Sequence, residues 1–320
     1  MSKVAIVTGG TSGIGLAAVK ALREKGCTVY ALSRRGEIPC DVSEVNSVRA
    51  AVQTVLDKEG RIDVLVNCAG FGISGAGELT PLEARGCIVY ALSRRGHGER
   101  HLACDVSEES SARAAVETVL GREGRVDILV NCAGFGISGA GELTPLEAAK
   151  QQLDVNLFGT ANMVNAVIPA MRAQGGGRIV NTGSVAGFVP IPFQTWYSAS
   201  KAAVQSYTMA MANELSPFNI TLCAVLPGDT RTGFTAARQK IDDPEGLYGG
   251  RIERSVQRME RDEQNGVPAQ KVGDLIAKVA LKRRVKPLYI PGFSYNLVNV
   301  LMRILPSGVA NKLIGMLYAK

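Results

Sequence analysis

Lys3-Val4-Ala5-Ile6-Val7-Thr8-Gly9-Gly10-Thr11-Ser12-Gly13-Ile14-Gly15 is the stretch that decides the fold. Its first six residues form a short apolar run rich in β-branched side chains, the pattern of a buried parallel strand. Residues 16–25 then carry apolar side chains at helical spacing. Strand, glycine-rich turn and helix in that order make a cradle for a pyrophosphate. Gly9 allows the tight turn, Gly13 lets the backbone approach the phosphates, and Gly15 permits close helix packing, with Thr11, Ser12 and Ile14 completing the loop. The expected class is α/β, a doubly wound parallel sheet in three layers that binds a dinucleotide.

Length and composition fit this class. The chain has 320 residues, a formal charge of +7 and 46% hydrophobic residues, enough for one sizeable core or one core plus an appendage. No apolar run reaches membrane-spanning length and no leader precedes the first strand, so a cytoplasmic protein is expected. The cysteines lack metal-ligand spacing, and His97 and His101, spaced i,i+4 in a loop-like stretch, show no ligand pattern of acidic or cysteine partners, so no metal site is expected. Aromatics are only 5% and do not interleave with the basic residues, which argues against a nucleic-acid partner.

Residues 26–84 recur as 86–148, and Asn67–Ala84 is identical to Asn131–Ala148. Each copy reads strand, loop, strand end, helix, strand. A single doubly wound sheet has one place for each, so one β-α-β segment is surplus. The short connection from the first helix to Thr28 favours the first copy at that strand. The helix beginning near Thr144 continues only after the second copy, which favours Asn131 at the later one. The expected cofactor site is therefore a hybrid of the two copies.

Several residues fall where such a sheet gathers its ligands. Ser33, Arg34 and Arg35 follow the second strand, where the adenosine ribose should lie. An acidic side chain there would bind a 2′-hydroxyl, whereas arginine suits a 2′-phosphate, so NADP is favoured over NAD. Asp105 and Val106, then Asn131, Ala133 and Gly134, stand at later strand ends. Pro227, Gly228, Thr230 and Thr232 form a turn after the strand at 220–226. Asn156 sits on a long helical stretch, and Ser184 just past the strand at 177–182. Tyr197 and Lys201 are four residues apart and share a face if the segment is helical. A phenol titrates near ~10, and a cation beside it favours the phenolate. That pair suits proton exchange with a carbonyl or alcohol oxygen.

In family order, T-G-G-T-S-G-I-G at 8–15, N-C-A-G at 131–134, Asn156, Ser184, Y-S-A-S-K at 197–201 and P-G-D-T-R-T at 227–232 resemble the short-chain dehydrogenase/reductase family in its single-domain branch. The resemblance implies a Rossmann fold and hydride transfer to or from nicotinamide. It implies that Tyr197 is the general acid/base, that Lys201 lowers its pKa and holds the nicotinamide ribose, that Ser184 binds the substrate oxygen, and that Asn156 positions a water. Cys132 and Cys68 stand where the family usually has asparagine.

The apolar segment Phe188-Val189-Pro190-Ile191-Pro192-Phe193, with Trp196 and Phe135, points to a small lipophilic ketone or alcohol as substrate. Its other use is packing, in the core or at a subunit contact of a homo-oligomer. Residues 233–268 are expected to cover the site as a lid. Residues 1–270 are expected to form the catalytic domain and 271–320 a helical extension. In that extension, Lys278, Lys282, Arg283, Arg284 and Lys286 precede an apolar tail, which raises peripheral membrane contact as an expectation. Two functions compete: an NADP-dependent oxidoreductase, and an NADP-binding or scaffold protein whose catalysis the duplication has impaired.

Overall fold

The computed structural model describes residues 4–8, 28–33, 38–39, 54, 65–67, 87–96 and 100–319. In chain order the strands are β1 (Val4–Thr8), β2 (Thr28–Ser33), β3 (Ile38–Pro39), β4 (Leu65–Asn67), β5 (Tyr90–Ser93), β6 (His101–Ala103) and β7 (Ile128–Asn131). They continue as β8 (Ile137–Ser138), β9 (Gly177–Thr182), β10 (Ile220–Val225), β11 (Thr230–Arg231), β12 (Gln239–Lys240), β13 (Val267–Pro268) and β14 (Leu288–Tyr289). The helices are α1 (Glu109–Glu123), α2 (Leu146–Leu153), α3 (Gly159–Ala173), α4 (Thr195–Leu215) and the short α5 (Phe234–Ala237). After them come α6 (Arg251–Gln264), α7 (Ala269–Ala280), α8 (Phe293–Ile304) and α9 (Ser307–Tyr318).

One sheet holds seven strands in the order β14-β10-β9-β7-β4-β5-β6, all pairs parallel. Alternation along its strands sends side chains into two cores. Leu129, Ile179 and Leu222 pack with Val116 and Val119 of α1 and Val164 and Val167 of α3. Their neighbours Val130, Val180 and Cys223 pack on the other face with Val272 and Ile276 of α7. Helix, sheet and helix therefore form three layers of a doubly wound α/β fold. Because all strands run the same way, Asn67, Ser93, Asn131, Thr182 and Val225 end at one edge.

The duplicated segment is divided between two sheets. Val4–Thr8 pairs in register with Thr28–Leu32, as its short connection predicts, but β1-β2-β3 form a separate three-stranded sheet. In the seven-stranded sheet the second copy supplies β5, β6 and β7, while Leu65–Asn67 of the first copy fills the slot between β5 and β7. Ser33 thus ends a strand of the small sheet, and Ser93 takes the position expected for it in the large one. The physical reason is continuity. The second copy is an intact β-α-β unit, its helix α1 ended by Gly124 in a left-handed conformation (φ 72), whose N–H bonds Leu120 O at 2.8 Å. Its strands and helix share one core with α3, so keeping the unit whole preserves more packing than splitting it. Gly9, Thr11, Ser12, Gly13, Ile14, Gly15, Arg34 and Arg35 lie outside the described residues.

Residue 270, the expected boundary, falls inside helix α7. The helix buries Val272 and Ile276 against the sheet, and β14 pairs with β10.

Burial makes this core sensitive to alkali. It pushes the Cys223 thiol up to about 12 and the Cys104 thiol to about 11, and burial with the Glu123 contact pushes the Tyr90 phenol to about 12. An unfolded thiol ionises near ~8.5, so above that pH the unfolded chain binds fewer protons than the folded one. The stability these groups contribute is complete below their unfolded pKa and is lost as pH rises through the folded values. Urea midpoints under reducing conditions should hold steady up to about pH 8.5 and then fall. Cys223→Ala should make the fall shallower; an unchanged slope would contradict the assignment.

Candidate active site

Helix α4 carries three site residues on one face, Tyr197, Lys201 and Gln205 at i, i+4 and i+8. Lys201 is 5% exposed, and its ammonium donates to Thr182 O at 2.9 Å, at the last residue of β9. The same nitrogen lies 5.9 Å from the centre of the Tyr197 ring. Gln205 Nε2 donates to Ser184 O at 2.8 Å, tying the residue just past β9 to the helix. The Ser184 hydroxyl accepts the Ala186 N–H at 3.1 Å and caps the short turn Val185–Gly187. At the helix entrance Phe193 has φ 61, a left-handed conformation unusual for a bulky residue, held by burial against Ile252, Val256 and Met259.

Asn156 lies within a π-helical turn, Asp154–Phe158, that joins α2 to α3. Such turns widen the helix and recur at functional sites. Its amide is fully buried and committed to protein partners. Nδ2 donates to Phe135 O at 3.1 Å and to Ser200 Oγ at 2.9 Å, and Oδ1 accepts the Phe135 N–H at 3.0 Å. Gln152 Nε2 donates to the same Phe135 carbonyl at 3.0 Å. Asn156 is thus a positioning residue for the 134–135 backbone. Asn156→Ala leaves a buried N–H unpaired and should cost about 1–3 kcal/mol in stability and lower kcat more than KM. Melting and kinetics on the one variant check both; an unmoved kcat would remove Asn156 from the site's support.

A cavity of about 260 Å³ opens at this sheet edge. Ser184, Tyr197, Lys201, Gly134, Pro227, Gly228, Thr230 and Thr232 all line it. Of the other expected residues, Asn131 is buried behind the wall, donating to Asn181 Oδ1 at 3.0 Å, and Ala133 packs in the core. Asp105 Oδ1 accepts from the Ser107 N–H at 3.0 Å and from its hydroxyl at 2.6 Å, and Val106 is buried beside it. Ser93 Oγ lies 2.7 Å from His101 Nε2, with Arg94 and Arg95 exposed just beyond.

The apolar wall is only in part the segment the sequence pointed to. Val189 and Ile191 line the cavity. Phe193 instead stacks edge-on against Tyr248, and Trp196 donates to Gly141 O at 3.3 Å. Phe234 of the expected lid covers Tyr197, ring centres 5.5 Å apart, and Glu263 of α6 joins the wall. The C-terminal helices add Tyr295, Val298, Leu317 and Tyr318, which no motif marked. The Tyr295 hydroxyl donates to Asp229 Oδ2 at 2.6 Å, and the Asp229 N–H donates back to that hydroxyl oxygen at 2.9 Å. Burial holds both the Asp229 carboxyl and the Tyr295 phenol above their ordinary ranges.

Close approach at two glycines shows what these walls fit. A Cβ at Gly134 would lie 2.9 Å from Asn156 Oδ1 and 3.5 Å from Lys201 Nζ. The bare backbone there leaves the space beside the lysine clear. At Gly228 a Cβ would lie 2.3 Å from the Tyr295 ring, so only glycine lets the turn and that helix meet. A buried cation, a phenol, a hydroxyl and a glycine-lined turn around one cavity fit the nicotinamide half of a dinucleotide.

A family model described as short chain dehydrogenase matches residues 3–88 and 83–243 in two overlapping pieces. The chain belongs to the short-chain dehydrogenase family. It is therefore an NAD(P)-dependent oxidoreductase acting on CH–OH or carbonyl groups. A 3-ketodihydrosphingosine reductase of Bacteroides thetaiotaomicron is 40% identical over 218 residues, 66% of this chain and 81% of the relative. Human 17-beta-hydroxysteroid dehydrogenase type 1 is 41% identical over 189 residues, 53% of this chain and 57% of the relative. Among solved structures, a short-chain dehydrogenase from Streptomyces avermitilis is similar with TM-score 0.62 and 24% identity, covering 99% of this chain and 96% of that one. A family member from Burkholderia phymatum in complex with NAD gives TM-score 0.61 at 22% identity, covering 97% and 95%. These last two likenesses carry the fold.

Proposed function

We propose that this chain is an NADP-dependent reductase of lipophilic ketones. The observation that carries the proposal is the meeting of Tyr197, Lys201 and Ser184 with Val189, Ile191, Val298 and Leu317 around one cavity. When bound, the cofactor supplies hydride to the carbonyl carbon. The chain's own residues handle the oxygen. The Ser184 hydroxyl orients it, and the Tyr197 phenol gives it a proton as negative charge develops there. The Lys201 ammonium, fixed by Thr182 O, stabilises the phenolate left behind. Phe234 over the phenol ring keeps bulk water from that transfer.

Two features support the finer reading. Both copies carry Ser-Arg-Arg at the end of their first strand, so the charge argument for a 2′-phosphate holds whichever copy meets the ribose. The apolar wall, together with a 40% identical relative named for the reduction of 3-ketodihydrosphingosine, favours a lipid-like ketone. Oxidation of NADPH by a panel of ketones tests this. Turnover should rise with alkyl length, and preference for short charged ketones would contradict it.

A second reading has its own support in the sheet formed by β1 with β2 and β3, which is separate from the seven-stranded sheet. If the glycine turn does not serve the cavity, the chain binds cofactor weakly and turns over nothing. NADPH fluorescence titration beside the ketone panel separates the two, since this reading allows no turnover with any ketone.

A further inference from the structure

Helix α8 has no buried residue although its sequence, Phe-Ser-Tyr-Asn-Leu-Val-Asn-Val-Leu-Met-Arg-Ile, is largely apolar. Phe293, Leu297, Val300, Leu301 and Ile304 fall at i, i+4, i+7, i+8 and i+11, one face of the helix, and Phe293 is 85% and Ile304 73% exposed. Helix α9 repeats the pattern. Val309, Leu313, Met316 and Leu317 are exposed at i, i+4, i+7 and i+8, while Ala310 and Ile314 are buried. Two consecutive helices thus leave an apolar stripe uncovered, which for a folded chain marks a surface that something else covers.

Charge indicates what that is. After Asp274 every charged residue of the chain is basic, and Lys278, Lys282, Arg283, Arg284 and Lys286 are all exposed just before α8. A second copy of this chain is a poor occupant, because a two-fold interface would bring like patches, and their rims of like charge, together. An anionic lipid surface complements both features: apolar side chains enter the acyl boundary while cations meet the headgroups.

We infer that α8 and α9, with the basic segment before them, dock this protein on anionic lipid bilayers as an interfacial element. Among the described residues no helix is long and apolar enough to cross a membrane, so the contact lies in the plane of the surface. Leu317 belongs both to the exposed stripe and to the cavity wall, so the docking face and the cavity share a side chain. An apolar substrate dissolved in the bilayer would then have a short path to Tyr197; this consequence alone rests on the proposed function.

The test is flotation of the full-length chain with vesicles of phosphatidylcholine, with or without phosphatidylserine. Binding should require the anionic lipid, weaken several-fold at high salt, and weaken about fivefold for each charge removed in Lys282→Gln, Arg283→Gln, Arg284→Gln and Lys286→Gln. The variant Phe293→Ser, Leu297→Ser, Ile304→Ser should lose binding altogether, with an unchanged thermal melt because all three side chains are exposed. Absence of binding to anionic vesicles at low salt overturns the inference. So does an apolar variant that still binds, or one that only converts a dimer to a monomer by sedimentation, which would make the stripe a subunit contact. Binding is read without turnover, so failure here leaves the catalytic reading standing.

Discussion

Tyr197→Phe should lower kcat for ketone reduction by about 10²–10⁴-fold, the usual contribution of a positioned general acid. At about 1.36 kcal/mol per factor of ten, that is about 2.7–5.4 kcal/mol of transition-state stabilisation. The substitution removes only the hydroxyl, so the ring keeps its contact with Phe234 and the ammonium of Lys201 keeps its bond to Thr182 O. NADPH affinity should therefore stay near that of the parent chain. Lys201→Met is a harsher change, because it withdraws both the charge and the bond that anchors α4 to the end of β9. It should lose activity together with NADPH affinity. Steady-state kinetics beside fluorescence titration separates the two patterns. Equal losses of affinity in both variants would mean that the phenol binds and does not transfer protons.

The second large effect concerns the ribose. In the seven-stranded sheet it is Ser93 that ends the strand beside the central slot, so under the proposed NADP dependence Arg94 and Arg95 are the arginines placed to meet a 2′-phosphate. Hydrogen bonds to a charged group are worth about 1.5–3 kcal/mol each. Replacing both arginines by alanine should raise the KM for NADPH by about two orders of magnitude or more and leave that for NADH nearly unchanged. The same change at Arg34 and Arg35 should do little. The reverse outcome would show that the first copy's strand serves the cofactor, as its pairing with β1 would have it.

Much of this was legible in the residues. The parallel three-layer fold follows from apolar strand runs alternating with amphipathic helices, and the repeat does not obscure it: Ile128, Leu129 and Val130 alternate cleanly between two cores. Ser184, Tyr197 and Lys201 were readable because the chemistry and the local helix are encoded within one short segment. The allocation of the two copies was not. Identical stretches have identical local preferences, so only long-range packing chooses between them, and continuity of β5, β6, α1 and β7 outweighed the short connection to Thr28. The contribution of Tyr295 was equally hidden, because Asp229 lies 66 residues away and nothing in an apolar helix marks which side chain turns inward. Phe193 and Trp196 illustrate the opposite failure: within an apolar segment whose Val189 and Ile191 line the cavity, the large aromatic residues pack elsewhere.

The most direct test follows the label from 4-deuterated NADPH into a long-chain ketone, read by mass spectrometry of the alcohol. The parent chain should place one deuterium on the carbinol carbon, and Tyr197→Phe, saturated with cofactor, should yield almost no labelled alcohol in the same time. Equal labelling by both would contradict the account, because the proton would then reach the oxygen without Tyr197.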